Sequence, residues 1–133
     1  MFNALHSKPL HRTALRVVSV AAALACLAGA AQAADQVKVG LLSTLSGPGA
    51  ALGVDIRDGF NLAVKHAGGK IGGLPAEVIV ADDQMSPDAA KQTADRLLKR
   101  DKVDFMTGVV FSNIMLAVGQ PIFASKTFYI SAN

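Results

Sequence analysis

Residues 37–69 read VKVGLLSTLSGPGAALGVDIRDGFNLAVKHAGG, and this stretch determines the fold class. Val37–Ser43 is a mostly apolar run rich in β-forming residues, so it predicts a buried strand, and Thr44–Gly49 predicts a turn. Apolar residues at helical spacing then predict an amphipathic helix. The residues expected on its buried face are Leu52, Ile56, Phe60, Ala63 and Ala67. Gly59 lies inside this helix, and we expect it to mark a close approach of the helix backbone to the sheet.

The same order of strand and helix follows along the chain. Ala76–Ala81 (AEVIVA) predicts a second strand. Ser86 and Pro87 then predict a helix start, because serine caps free N–H groups and proline is tolerated in the first turn. The residues expected on the buried face of this helix are Ala90, Ala94, Leu97 and Leu98.

A third helix is predicted between two further strands. The strands are Asp104–Val110 and Thr127–Ser131. Ser112 or Asn113 can cap the helix at its start. We expect Pro121 to interrupt the helix, because proline removes a hydrogen-bond donor from a helix interior.

The order βαβαβαβ predicts an α/β fold. Crossovers of this length join parallel strands, and helices on both faces make a doubly wound parallel sheet. Such sheets bind ligands beyond the carboxyl ends of the strands, where the strand order reverses. The four segments expected at that edge are Thr44–Gly49, Asp82–Gln84, Phe111–Asn113 and Ser131–Asn133.

Residues 1–33 have the three-part pattern of a secretory signal peptide. A basic segment precedes an apolar run of 14 residues at 17–30, and small residues at Ala31 and Ala33 fit the cleavage site of a signal peptidase. We therefore predict a signal peptide over 1–33 and an exported domain over 34–133. Cys26 leaves lipid attachment open as an alternative, since lipoproteins are modified at a cysteine.

The charge distribution argues against nucleic-acid binding. The chain has 13 basic and 10 acidic residues. Lys8, Arg12 and Arg16 belong to the predicted signal, which leaves ten residues of each sign in 34–133. No excess of positive charge remains there to neutralise phosphates, so no nucleic-acid partner is expected. The content of 51% hydrophobic and 17% charged residues also excludes a disordered chain.

The glycines at 47, 49 and 53 resemble part of a dinucleotide-binding fingerprint. Their spacing is G-x-G-x3-G rather than G-x-G-x-x-G, and Pro48 lacks an N–H that could face a phosphate. No acidic residue stands at the usual distance of about 20 residues. We therefore expect no nucleotide cofactor.

Other residues suited to catalysis or metal binding are sparse. Asp82 and Asp83 have no third ligand nearby in the sequence, so they are interpreted as a solvated loop and helix-capping pair rather than a metal site. His66 is the only histidine after residue 33, and no serine or cysteine motif accompanies it. Accordingly we expect no enzyme, no catalytic residue, no metal and no cofactor.

Ser112 and Asn113 follow a predicted buried strand and open a helix. A hydroxyl, an amide and the free N–H groups of the helix would converge there on an anion such as a ligand carboxylate. Ordinary N-capping explains the same two residues equally well. The residues alone leave both interpretations open.

Four segments together resemble the leucine/isoleucine/valine-binding protein family. They are VGLLSTLSGPGAALG, GGKIGGLPAEVIVADDQMSPDAAKQTADRLL, FMTGVVFSNIMLAVGQPIF and FYISAN, in that order between Val37 and Asn133. Members of this family are type I periplasmic solute-binding proteins of ABC importers. The resemblance implies two doubly wound lobes that close around a small ligand. Residues 34–133 would form an incomplete N-terminal lobe whose affinity for ligand by itself is weak or nil.

The resemblance also implies roles for five residues. Ser112 matches the serine that binds the ligand carboxylate, and Phe111 and Asn113 flank it. Leu52 falls where the family often has a pocket wall. Asn133 falls at the start of the stretch that contacts the charged end of the ligand.

The implied function is that of a periplasmic substrate-binding component of an ABC importer for branched-chain or related amino acids. Its partners would be a small carboxylate ligand and a membrane permease. Two alternatives remain open. The F-S-N step and the I-S-A-N ending are similar to family members that bind aromatic carboxylates from phenolic acids, and receptors use the same fold as an extracellular ligand-sensing domain.

Overall fold

Strands and helices alternate in the computed structural model, which describes residues 35–132. The elements are β1 (Val37–Ser43), α1 (Ala50–His66), β2 (Lys70–Ile71), β3 (Leu74–Asp82), α2 (Pro87–Asp95), a π-helical segment (Arg96–Asp101), β4 (Phe105–Thr107), α3 (Ser112–Ala124) and β5 (Phe128–Ile130). None of the helices described is long and apolar enough to cross a membrane. The predicted bounds of the first strand and the predicted helix start at Pro87 are confirmed.

The sheet has the strand order β2-β3-β1-β4-β5. Strand β1 pairs in parallel with β3 on one side and with β4 on the other, and β4 pairs in parallel with β5. The chain moves from β1 to one side and then crosses back to the other, so the strand order reverses between β1 and β4. The predicted doubly wound parallel sheet is therefore confirmed. Strand β5 forms the open edge, where Phe128 is 77% exposed.

The main core lies between the sheet and the helices α2 and α3. Its fully or nearly fully buried members are Leu42, Ala81, Ala90, Ala94, Leu97, Val103, Met106, Val109, Ile114, Val118 and Ile122. Gly40 of β1 makes this packing possible, because a side chain there would lie 3.1–3.4 Å from Met106, Val103 and Leu97. Interiors are packed to the density of organic crystals, so such space is filled by neighbouring side chains.

Helix α1 packs on the opposite face of the sheet. Successive side chains of a strand point to opposite faces, so Ser43 faces away from the core that contains Leu42. The contact of α1 with that face is made at Gly53, where a Cβ atom would overlap the Thr44 carbonyl oxygen. The prediction of a close approach at Gly59 is wrong, because an added Cβ there meets no atom within 4 Å.

Leu52 is 54% exposed, contrary to its predicted place on the buried face of α1. The only fully buried residue of this helix is Gly53, one position later. Because a glycine carries no side chain, the apolar periodicity of the sequence does not count it. Ile56 and Phe60 of the predicted face are half-buried, whereas Ala63 and Ala67 are exposed, so the predicted face is confirmed only in part.

A short hairpin at one edge of the sheet was not predicted. Strand β2 pairs antiparallel with the start of β3. Glycines at 68, 69, 72 and 73 adopt positive φ angles of 59–85°, a region that glycine enters without steric cost. The glycines that follow α1 therefore build the turn that adds β2.

Helix α3 continues through Pro121 to Ala124, so the predicted interruption is wrong. Proline removes the hydrogen bond that its own nitrogen would donate, and its ring crowds the carbonyl one turn earlier. The buried side chains of Ile114, Val118 and Ile122 hold the helix against the sheet on both sides of that position. Tertiary packing therefore overrides the local preference.

The two glycines of α1 provide a test of this packing. We expect Gly53→Ala to destabilise the fold by about 1–3 kcal/mol or more, because the new methyl group must displace the Thr44 backbone. We expect Gly59→Ala to stabilise it by about 0.5–1 kcal/mol, because alanine favours an exposed helix interior. Urea denaturation of both variants measures the difference, and equal midpoints for the two would contradict the described contact.

Candidate ligand-binding site

Four segments meet at the carboxyl edge of the sheet, as predicted from the strand order. Asp82 at the end of β3 accepts a hydrogen bond of 2.8 Å from the Leu45 N–H in the β1–α1 loop. In the same loop, Gly49 lies against the ring of Phe111, which follows β4. Next to it, the Thr107 hydroxyl donates to the Ile130 carbonyl at 2.8 Å and so joins the ends of β4 and β5. The edge is thus continuous from β3 to β5.

The β1–α1 loop, residues 44–49, is shaped by side chains of β3 and by its own backbone. The Thr44 hydroxyl donates to Asp83 Oδ1 at 2.7 Å, and both residues are buried. Gly47 adopts a φ angle of 76°, and its carbonyl accepts a hydrogen bond of 3.1 Å from the Ala50 N–H as α1 begins. The interpretation of Asp82 and Asp83 as a solvated, helix-capping pair is therefore wrong.

Helix α3 begins at Ser112 and has no capping side chain. Phe111 occupies the N-cap position, and its carbonyl accepts hydrogen bonds of 3.0 Å from the N–H groups of Ile114 and Met115. The N–H groups of Ser112 and Asn113 precede these bonds and belong to the free donors of a helix start. Both side chains are exposed, and the first turn has no acidic residue. Capping does not account for Ser112 or Asn113 in this structure.

An apolar groove of about 840 Å³ runs from this edge along α3 and β5. We call it the α3–β5 groove. Its lining residues are Val109, Phe111, Ser112, Met115, Leu116, Gly119, Gln120, Phe123, Ala124, Tyr129 and Ser131. Leu116 is 84% exposed and Phe123 is 63% exposed, so most of the groove is an uncovered helix flank. The end of the groove formed by Phe111, Ser112 and Ser131 reaches the carboxyl edge.

Tyr129 lies on the wall of the α3–β5 groove. Its partial burial raises the pKa of the phenol, and a hydrogen bond with the Val109 backbone opposes part of that rise. The side chain is therefore neutral at physiological pH. It contributes an apolar ring and a dipole to the groove, not a charge.

Residues 36–133 match the family model described as periplasmic binding protein. The chain belongs to the periplasmic binding protein family. It is similar to Leu/Ile/Val-binding protein homolog 6 of Brucella abortus, with 32% identity over 104 residues that cover 77% of this chain and 27% of that protein. The resemblance to the leucine/isoleucine/valine-binding proteins is confirmed.

Solved structures support the same family. An ABC transporter substrate-binding protein from Sphaerobacter thermophilus has a TM-score of 0.71 and 33% identity, covering 74% of this chain and 26% of that one. A solute-binding protein of an ABC transporter from Rhodopseudomonas palustris in complex with 3,4-dihydroxybenzoic acid has a TM-score of 0.70 and 32% identity, covering 73% and 27%. An R. palustris solute-binding protein in complex with benzoate has a TM-score of 0.70 and 33% identity, covering 74% and 27%. The chain therefore spans about a quarter of the length of these relatives.

This periplasmic binding protein brings three of the five predicted site residues together. Phe111, Ser112 and Asn113 lie side by side at the start of α3. Leu52 lies in the first turn of α1 and does not line the α3–β5 groove. Asn133 lies outside the described residues.

Sequence reasoning missed the contribution of Gly49 and the two aspartates. A Cβ atom on Gly49 would lie 2.7 Å from two ring carbons of Phe111, so the absence of a side chain lets the loop reach the ring. Two adjacent carboxylates at the end of a strand, opposite a loop rich in N–H and hydroxyl donors, were the available signal. Which donors they bind depends on the pairing of β3 with β1, and the sequence pattern does not give the partner loop.

The carboxyl group of Asp82 titrates below its usual range. Partial burial raises its pKa, but hydrogen bonds from Ser46, Gln84 and Leu45 to the charged form outweigh burial, so the pKa lies below the ordinary value of 3.8. A carboxyl group with a lowered pKa in the folded protein stabilises the fold above its unfolded pKa. That contribution is lost as the pH falls through the folded value.

This sign predicts an acid-dependent difference between the native protein and Asp82→Asn. We expect the native protein to have the higher free energy of unfolding at neutral pH. Its advantage should shrink below about pH 4, because the carboxylate becomes protonated. Urea denaturation of both proteins between neutral pH and acid measures the two curves. Parallel curves would show that the hydrogen bonds to Asp82 do not favour its charged form.

Proposed function

We propose that this chain provides the carboxylate-binding part of an ABC importer's substrate-binding protein. The observation that carries the proposal is the start of α3, where the Ser112 hydroxyl and two free N–H groups are exposed beside the point at which the strand order reverses. A helix N-terminus favours anions through its free donors and its dipole. Beside it, Phe111 offers an apolar surface for the rest of the ligand.

The first-choice ligands are branched-chain or related amino acids. Support comes from the name of the Brucella relatives, which are homologues of Leu/Ile/Val-binding proteins. Aromatic carboxylates are the second candidate, supported by the two R. palustris proteins in complex with benzoate and 3,4-dihydroxybenzoic acid. Both classes share the carboxylate that we assign to Ser112, and they differ in the ammonium group that only an amino acid carries.

Titration of Ser112→Ala tests the proposed role of the hydroxyl. A hydrogen bond to a charged group contributes about 1.5–3 kcal/mol, so the variant should bind carboxylates about tenfold to a hundredfold more weakly. NMR titration of the 133-residue chain with leucine and with benzoate, followed at the amides of Ser112 and Asn113, measures weak as well as tight binding. Ser125→Ala is the matched control, because it removes a hydroxyl from the opposite end of α3.

The loss should be similar for both ligands, since Ser112 acts on their common group. An unchanged dissociation constant in Ser112→Ala would contradict the assignment. Binding of benzoate without leucine would favour aromatic acids as the cargo. Binding of leucine without benzoate would favour amino acids.

We also propose export to the periplasm and delivery of the ligand to a membrane permease. The proposal rests on the family and on the three-part pattern of residues 1–33, which lie outside the described residues. N-terminal sequencing of the exported protein should find Ala34 as its first residue. A product that starts at a lipid-modified Cys26 would contradict cleavage after Ala33 and indicate a lipoprotein.

A further inference from the structure

The carboxylates of Asp82 and Asp83 accept hydrogen bonds from the β1–α1 loop. We propose that this pair positions the loop as one wall of the ligand site and so sets the place of Phe111 beside Ser112. The inference rests on the proposed function, because it assigns the two acids a role in the same site. It makes them positioning residues, which act through the loop and do not touch the ligand.

Asp82 ties the end of β3 to the loop through a single oxygen. Its Oδ1 atom accepts hydrogen bonds of 2.8 Å from the N–H groups of Leu45 and Gln84, and Ser46 adds further hydrogen bonds to the carboxylate. The donors come from two segments that are far apart in sequence. One acceptor therefore fixes the distance between the loop and the strand end.

Asp83 makes the second connection from inside the protein. It is fully buried, and its Oδ1 atom accepts from the Thr44 hydroxyl at 2.7 Å and from the Met85 N–H at 2.8 Å. Its Oδ2 atom has no hydrogen-bond partner among the described residues. Burying a carboxylate oxygen without a partner is unfavourable. An apolar residue at this position would leave the Thr44 hydroxyl and the Met85 N–H without an acceptor. The pair thus maintains a geometry that an apolar contact could not provide.

The backbone after the pair supports the same interpretation. Gln84 and Met85 have φ angles of 54° and 55°, in the left-handed region that non-glycine residues rarely enter. Each of these residues donates its N–H to one of the two aspartates. Unfavourable backbone conformations persist where the surroundings determine them, and they concentrate at functional sites.

The loop transmits its position to the ligand site through glycine contacts. Gly53 of α1 abuts the Thr44 carbonyl at one end of the loop, and Gly49 abuts the Phe111 ring at the other. Both contacts are made by glycines, so no flexible side chain lies at these positions to absorb a displacement of the loop. A shift of the loop therefore moves the ring, which is adjacent in sequence to Ser112.

The experiment tests whether the Asp82 side chain acts through the hydrogen bonds that its oxygen accepts. Asp82→Ala removes the acceptor, whereas Asp82→Asn keeps a carbonyl oxygen at the same position. The control is Asp58→Ala, since Asp58 is an exposed carboxylate whose partner Arg57 lies on α1. Two measurements are made on each 133-residue protein: hydrogen exchange of the Leu45 amide, and NMR titration with benzoate and leucine.

We expect Asp82→Ala to speed exchange of the Leu45 amide and to weaken binding of the better ligand, each by about tenfold or more. Asp82→Asn should recover most of both losses, and Asp58→Ala should change neither. Thr44→Val and Thr44→Ser form a second pair on Asp83, with loss in the valine variant and recovery in the serine variant. This pair keeps the test valid if Asp82→Ala does not fold.

The possible failures can be distinguished. Native protein that binds neither ligand would overturn the proposed function and, with it, the role of the loop in a site. Native protein that binds, together with an Asp82→Ala variant of equal affinity, would overturn only the positioning role. Weaker binding without faster exchange of the Leu45 amide would overturn the assigned route through the loop.

Discussion

The contact between Gly53 and the carbonyl of Thr44 is the constraint on which the rest of the edge depends. Helix α1 starts close to the end of β1 because no side chain separates them at this point. The loop between them is consequently short, and its Thr44 hydroxyl and Leu45 N–H face the end of β3. The close approach also places Gly49 against Phe111, so one packing contact on the far face of the sheet determines the surroundings of α3.

The reversal of strand order has an equally direct consequence for chemistry. Because β1 is flanked by β3 and β4, the loops that follow these three strands diverge around a common point. The start of α3 lies at that point with free N–H groups and no acidic residue in its first turn. In the proposed function, the anion-binding position arises from topology and helix geometry, and Ser112 adds a hydroxyl to donors that the backbone already supplies.

Features governed by neighbouring residues were predictable from the sequence. The first strand and the Ser86-Pro87 helix start depend on local preferences, and the structure confirms both, including a 3.4 Å capping bond from the Ala89 N–H to the Ser86 hydroxyl. The choice between Gly53 and Gly59 was not predictable, because it depends on how α1 is rotated against a sheet that the sequence pattern does not show. Pro121 was misjudged for the same reason, since the packing of α3 outweighs the preference of a single residue. The role of Ser112 stays a prediction from the resemblance, whereas the aspartate contacts with the loop depend on tertiary pairing.

The hairpin formed by β2 gives the sheet two unequal edges. On one side, the two-residue strand β2 covers only Leu74 and Pro75, so the rest of β3 lies at that edge. On the other, β5 presents Phe128 and Ile130 and an unshielded row of peptide groups, among the residues described. Exposed apolar side chains on an edge strand favour pairing with another chain, so self-association of the domain by strand addition would start next to β5.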